Sequence, residues 1–131
     1  MSKTIQVKSS DREQLVEITS EVQSLLAEEG LVDGVCVLFT HHTTCGLTIN
    51  ENADPDVKHD ILLFLRNTIP QYYEGFKHFE HNSDAHIKSS LMGSSVTIPF
   101  ENGKLALGTW QGIFLCEFDG PRERQVIATF I

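Results

Sequence analysis

Cysteine, positive charge and long apolar runs are what this chain has least of, and each shortage excludes something. Its three cysteines, Cys36, Cys45 and Cys116, include no C-x-x-C pair. That excludes a disulfide framework and suits a reducing compartment. Ten Lys and Arg stand against 18 Asp and Glu, for a net charge of −8, and the cations are scattered. A phosphate-backbone binder needs a basic stripe, so nucleic acid is not an expected partner. The same charge disfavours anionic membrane surfaces. No stretch approaches the roughly 18 apolar residues of a membrane span. Residues 1–5 carry no apolar leader, so the expected location is cytoplasmic. Repeats, linkers and low-complexity segments are absent, and so is H-E-x-x-H.

The 131 residues fit one domain with a core large enough to need no staples. Ile5 and Val7 alternate with polar neighbours and predict a short strand. Ser10 to Glu13 reads as a capping box, followed by Leu15, Ile18, Val22, Leu25 and Leu26 at helical spacing, with Gly30 as a left-handed stop. Val35 to Thr40 predicts a strand buried on both faces. A second strand, Leu47 to Ile49, leads into Asn50-Glu51-Asn52. Asp54-Pro55-Asp56 opens a helix with the stripe Val57, Ile61, Phe64, Leu65 and Thr68, closed by Pro70. Phe76, His78 and Glu80 would share one face of an extended segment. Asp84 is expected to cap a short helix carrying His86, Ile87 and Leu91 and ending at Gly93. Beyond it, Asn102-Gly103 signals a hairpin. Ile113 to Phe118 and Val126 to Ile131 complete an expected four-stranded C-terminal meander. The order implies an α+β fold with strands and helices segregated.

Five of the six histidines fall in two polar stretches, His41 to Thr44 and His78 to His86, and His59 sits beside Asp60. Neutral imidazole is a common ligand for Zn²⁺, and three ligands with one open position is the usual catalytic arrangement. His42, His78 and His86 are therefore candidate ligands, and the alternative is that histidines simply cluster in polar loops. Glu51 is a candidate general base because no cap or turn demands it, with Asn50 and Asn52 on either side. Asp54 reads more naturally as a helix cap. Trp110, between Gly108 and Gly112, is either a core anchor or a pocket wall, and the glycines suggest a close backbone approach. Arg122 and Arg124 after Asp119-Gly120-Pro121 could bind an anion or decorate a hairpin. Cys36 and Cys116 lie in apolar strands, where a structural role fits.

Three segments in order, His42-Thr43-Thr44-Cys45-Gly46-Leu47-Thr48-Ile49-Asn50-Glu51-Asn52-Ala53-Asp54-Pro55, His86-Ile87-Lys88-Ser89-Ser90-Leu91-Met92-Gly93 and Leu107-Gly108-Thr109-Trp110-Gln111-Gly112, resemble the signature of the YjbQ family, the secondary thiamine-phosphate synthases. The resemblance implies a bent, largely antiparallel sheet or sandwich with about three helices, assembled as a homotrimer. It matches the family's polar positions at His42, Asn50, Glu51, Asn52, Asp54, His59, Asp60, His78, His86, Trp110, Gln111 and Arg124. His41 and His81 fall outside that pattern, and the short stretch between His78 and His86 puts Glu80 out of register. The activity implied joins a thiazole phosphate to a pyrimidine diphosphate with loss of pyrophosphate. Glu51, Asn50, Asp60 and Gln111 would then be catalytic. Thr43, Asn52, Lys88, Trp110 and Arg124 would hold a small phosphorylated substrate, and a divalent ion, Zn²⁺ or Mg²⁺, would sit on His42, His78 and His86. A metal-dependent hydrolase or lyase, and a non-catalytic metal- or ligand-binding trimer, are the competing readings.

Overall fold

Alternation along one strand organises the molecule. A computed structural model describes residues 2–131. Its strands are β1 (Ser2–Lys8), β2 (Gln14–Glu17), β3 (Gly34–Phe39), β4 (Cys45–Glu51), β5 (Ser95–Glu101), β6 (Lys104–Leu105), β7 (Gln111–Glu117) and β8 (Glu123–Phe130). Its helices are α1 (Thr19–Glu29), α2 (Pro55–Thr68) and α3 (Ser83–Met92). One sheet runs β1-β8-β3-β5-β6 and the other β2-β7-β4, with every pairing antiparallel. Because successive side chains of β7 point to opposite faces, Ile113 and Leu115 enter the main core with Val22, Leu38, Leu47 and Val126. Phe114 and Cys116 face the other way and join Leu15, Leu65, Ala85 and Phe118 under α2 and α3. The result is a curled antiparallel α+β fold with three helices. No helix among the described residues is long and apolar enough to cross a membrane.

Local chemistry explains the elements that match expectation. Asp54 caps α2, its side chain accepting from the Asp56 N–H at 2.9 Å, with Pro55 at the first helical position. Gly30 ends α1 at φ 67°. Asn102 and Gly103, at φ 51° and 72°, make the two-residue turn that joins β5 to β6.

The structure overturns five expectations. Residues 14–17 form β2 on the edge of β7 instead of opening a helix, and α1 starts only at Thr19. Leu15 is buried against Leu65 and Phe114 by this pairing, and a strand and a helix both satisfy its spacing to Ile18. Strand β3 buries Cys36 and Leu38 but leaves Val35 and Phe39 37% and 43% exposed, so it has one covered face. The C-terminal strands are no meander: β5 and β6 pair with β3, β7 joins β2 and β4, and β8 inserts between β1 and β3. Residues 72–80 form turns without a strand. Asp84 lies inside α3, whose cap is Asn82, and is held in ion pairs with Arg12 and Lys88.

Helix α3 is seated hard against β4. A Cβ on Gly46 would stand 2.9 Å from both Gly93 O and Met92 Cβ, so only glycine lets the helix approach. This contact sets where His86 stands relative to Thr44 and Cys45.

Candidate functional site

Four separate segments deliver polar groups to one open cleft of about 460 Å³. His41, His42, Thr43 and Thr44 come from the β3–β4 connection, and His78 and Glu80 from the loop before α3. Asn82 and His86 come from α3, and Asp119, Arg122 and Arg124 from the turn into β8 and the start of that strand. The His78 and His86 rings are 5.5 Å apart, edge to face. A second hollow of about 510 Å³ shares His42, Thr43 and His86 and is walled by Cys45, Ser89, Ser90 and Ser94. His42 and His86 thus stand between a charged lobe and a hydroxyl-rich one.

The floor of the cleft is a buried ion pair. Glu117 is fully buried on β7 and accepts from Arg124 Nε at 2.9 Å, Ser9 Oγ at 2.7 Å and the Asp119 N–H at 3.0 Å. Burial pushes its carboxyl up, but the Arg124, Ser9 and Asp119 donors outweigh that and hold it below its ordinary value. Arg124 Nη2 also donates to Thr44 Oγ1 at 2.8 Å, which ties the cleft floor to the β4 entrance. Arg122 faces Asp119 at 3.1 Å and is half exposed.

His42 is fixed by its tautomer. Its Nε2 accepts the Gln125 N–H at 3.0 Å, so the neutral ring carries its proton on Nδ1. Burial, with help from Arg124 and His41, pulls its pKa below the ordinary value of 6.5. Since the folded value is depressed, the neutral ring's contribution to stability is full above about pH 6.5 and is lost as pH falls through the lower folded value. Nitrogen-detected NMR of the imidazoles is expected to show Nδ1–H at neutral pH and a His42 midpoint below those of free histidine. An Nε2–H ring with an unshifted midpoint would remove the Gln125 contact from the account.

These contacts also test the expected metal site. A neutral His42 with Nε2 engaged and Nδ1 protonated has no lone pair to give. No group of three or more His, Cys, Asp or Glu among the described residues is arranged to hold a metal ion. The donors of one chain therefore do not fit the three-histidine site.

Of the expected site residues, the structure brings His42, Thr43, His78, His86 and Arg124 together. Lys88 is removed from the substrate-binding set: it is 1% exposed and its amine lies 2.7 Å from Glu13 and 2.8 Å from Asp84. Asn50, Glu51, Asn52, Trp110 and Gln111 gather at the opposite end of β4, where Asn50 and Glu51 pair with Gly112 and Gln111. Trp110 is 63% exposed there and is no core anchor. Gly112 is where the expected close approach occurs, since a Cβ would stand 2.7 Å from Glu17 Oε2 and 2.8 Å from Asn52 Cβ. Asp60 and His59 pair with each other at 3.0 Å on the exposed face of α2. Glu117, Asn82 and Asp119 were missed by the sequence reading. A charge at the end of the apolar run Ile113–Phe118 was the available signal for Glu117.

A family model described as UPF0047 protein YjbQ-like matches residues 3–131. The chain belongs to the YjbQ (UPF0047) family. It is 55% identical to a UPF0047 protein of Methanocaldococcus jannaschii, over 96% of this chain and 91% of that one. It is 50% identical to UPF0047 protein YugU of Bacillus subtilis, over 95% and 94%. A solved YjbQ/UPF0047 structure from Clostridium acetobutylicum, 53% identical, superposes with a TM-score of 0.96 over 98% of this chain and 99% of that one. A YjbQ-family fold is thus shared across distant organisms, since a Sulfolobus solfataricus protein only 32% identical still gives 0.93 over 99% and 95%.

Among the described residues no thiol has its pKa lowered. Burial pushes Cys36 up to about 11 and raises Cys45 and Cys116 as well.

Proposed function

We propose that this YjbQ-family chain is a cytoplasmic small-molecule enzyme of the secondary thiamine-phosphate synthase type, working as a homotrimer on phosphorylated substrates. The observation that carries the reading is the convergence of His42, His78 and His86 with Arg122 and Arg124 on one cleft in a chain of net charge −8. In the reaction, the thiazole nitrogen attacks the exocyclic methylene of the pyrimidine diphosphate. The C–O bond breaks and its electron pair leaves with pyrophosphate. Arg122 and the N–H groups of His78 and His86 line the cleft where the leaving oxygens would lie, and their hydrogen bonds stabilise the charge that develops. His42 donates from Nδ1. Asn82 contributes an acceptor: it is 5% exposed, its amide donates to Asp119 Oδ2 at 2.8 Å, and its Oδ1 has no partner among the described residues. An amino group on the pyrimidine is the kind of donor that oxygen lacks. No step is assigned to a metal, because His42 spends its Nε2 on the Gln125 N–H and no group of three or more His, Cys, Asp or Glu among the described residues is arranged to hold one.

The test is thiamine phosphate formation by the wild type, Arg122→Ala and His86→Ala. Loss of a charge-assisted contact to phosphate is expected to lower kcat/KM by about 10- to 100-fold in Arg122→Ala. Loss of an acid is expected to cost about 10²- to 10⁴-fold in His86→Ala. Equal traces of product from all three proteins would sink the reading.

A further inference from the structure

Most of the expected site residues fall in two patches at opposite ends of β4. Cys45 opens β4 at the histidine cleft and Glu51 closes it at the far end, about 20 Å away at roughly 3.4 Å per residue. The far patch is built as firmly as the cleft. The Asn52 N–H donates to Trp110 O at 2.9 Å, Asn52 Nδ2 to Glu17 Oε2 at 2.9 Å, and Gln111 Oε1 accepts the Gly108 N–H at 2.8 Å. Gly112 gives these side chains their room. Glu51 spends one carboxylate oxygen on the Asp54 N–H at 3.3 Å, a turn contact the sequence did not announce, while the Trp110 ring stands 63% exposed.

We propose that a second copy of this chain lays its Glu51–Asn52–Trp110 patch over the histidine cleft of the first, so that the active site is shared between two subunits. The inference rests on the cleft being the substrate site. The two surfaces differ in charge: the cleft rim offers four imidazoles and Arg122 beside the acid Glu80, whereas the patch offers Glu17, Glu51 and Asp54. They are also complementary in apolar character. Ile87 and Leu91, 40% and 65% exposed, are four residues apart on α3 and form one stripe beside His86. Trp110, 63% exposed, is the kind of aromatic anchor that such a stripe receives at an interface. Since patch and cleft are different surfaces, the contact is heterologous, the type that builds a ring such as a trimer when its rotation closes. In the shared site, Trp110 of the second copy covers an aromatic heterocycle whose phosphate lies on the cleft side. Glu51 adds a second carboxylate to Glu80, which lies 3.9 Å from His78 Nε2, since Asp119 and Glu117 are already paired with arginines.

Trp110 is the only tryptophan and reports the contact directly. In wild-type protein at a concentration where sedimentation shows the assembly, its emission is expected to be blue-shifted and its acrylamide quenching several-fold lower than in Leu91→Glu. That substitution alters a side chain 65% exposed in the single chain and is expected to give a folded monomer. Co-expressed His41→Cys and Asn52→Cys chains, bridged by a short bismaleimide, are expected to give a covalent dimer that neither variant forms alone. The three native thiols are buried and add no background. An assembled wild type whose Trp110 is as open to acrylamide as that of Leu91→Glu, or no mixed cross-link, overturns the shared site even if thiamine phosphate is formed. A shielded Trp110 with the mixed cross-link, but no turnover, upholds the shared site and removes only the reaction.

Discussion

Replacing Lys88 by methionine is expected to lower stability by about 3–5 kcal/mol, a fall in Tm of roughly 10–20 °C. Lys88 is the hub of a buried charge network. Its amine contacts Glu13 and Asp84, Arg12 grips Asp84 through both guanidinium nitrogens, and Arg66 reaches Glu13 at 2.8 Å. The side chains of Asp84 and Lys88 are 0% and 1% exposed, and that of Glu13 is 7% exposed. Methionine fills similar space but leaves two buried carboxylates short of a cation. That deficit, more than the pair's own attraction, sets the cost. Urea melts with an unchanged m-value measure it, and a loss below about 1 kcal/mol, the scale of a surface pair, would show that the network is not buried in solution.

The pH dependence has a definite sign. Burial pushes Glu13 and Asp84 up, but their cationic partners win and hold both below their ordinary values of 4.5 and 3.8. Groups depressed in the folded state give their full stabilisation above the unfolded values and lose it as pH falls through the folded ones. Wild-type protein is therefore expected to lose stability progressively below about pH 4.5. Lys88→Met is expected to lose less over the same window, because protonation relieves its stranded carboxylates.

Glu117→Gln is expected to be nearly as costly, about 3–5 kcal/mol, and to act on the cleft as well. The shape is kept, but Arg124, 3% exposed, loses its counter-charge and its reason to point at Thr44. Arg124 already depresses His42, and Glu117 opposes that effect. With the carboxylate gone, the His42 midpoint is expected to move further down, a shift that NMR titration reads independently of stability. An unchanged His42 midpoint alongside an unchanged melt would show that Glu117 neither holds Arg124 nor reaches the cleft.

These two residues mark the boundary between what could and could not be read beforehand. Asp54-Pro55, Gly30 and Asn102-Gly103 were legible because a cap or a tight turn is settled by atoms within a few residues of each other. The strands around Val7 and Leu38 were legible because alternation in the first and a β-branched, aromatic run in the second need no knowledge of the partner, although which face of the second is covered was decided by packing. Residues 14–17 were not, because spacing from Leu15 to Ile18 suits a helix and a strand alike, and the open edge of β7 made the choice. Lys88 read as a substrate contact because nothing near it in sequence announces Arg12 or Glu13, which lie more than 70 residues away.

The histidines show the same division. The sequence by itself determined the family, the α+β class and the two histidine-bearing segments that line the cleft, all of which follow from local composition and ordered motifs. The tertiary structure alone decided that His42 spends its Nε2 on a backbone amide, that Lys88 is buried in a charge network, and that Glu51 and Trp110 stand a full strand length from the cleft. Each of those depends on which distant segments pack together, and the free energy that selects among packings comes from burial and long-range pairing that no short stretch of sequence contains.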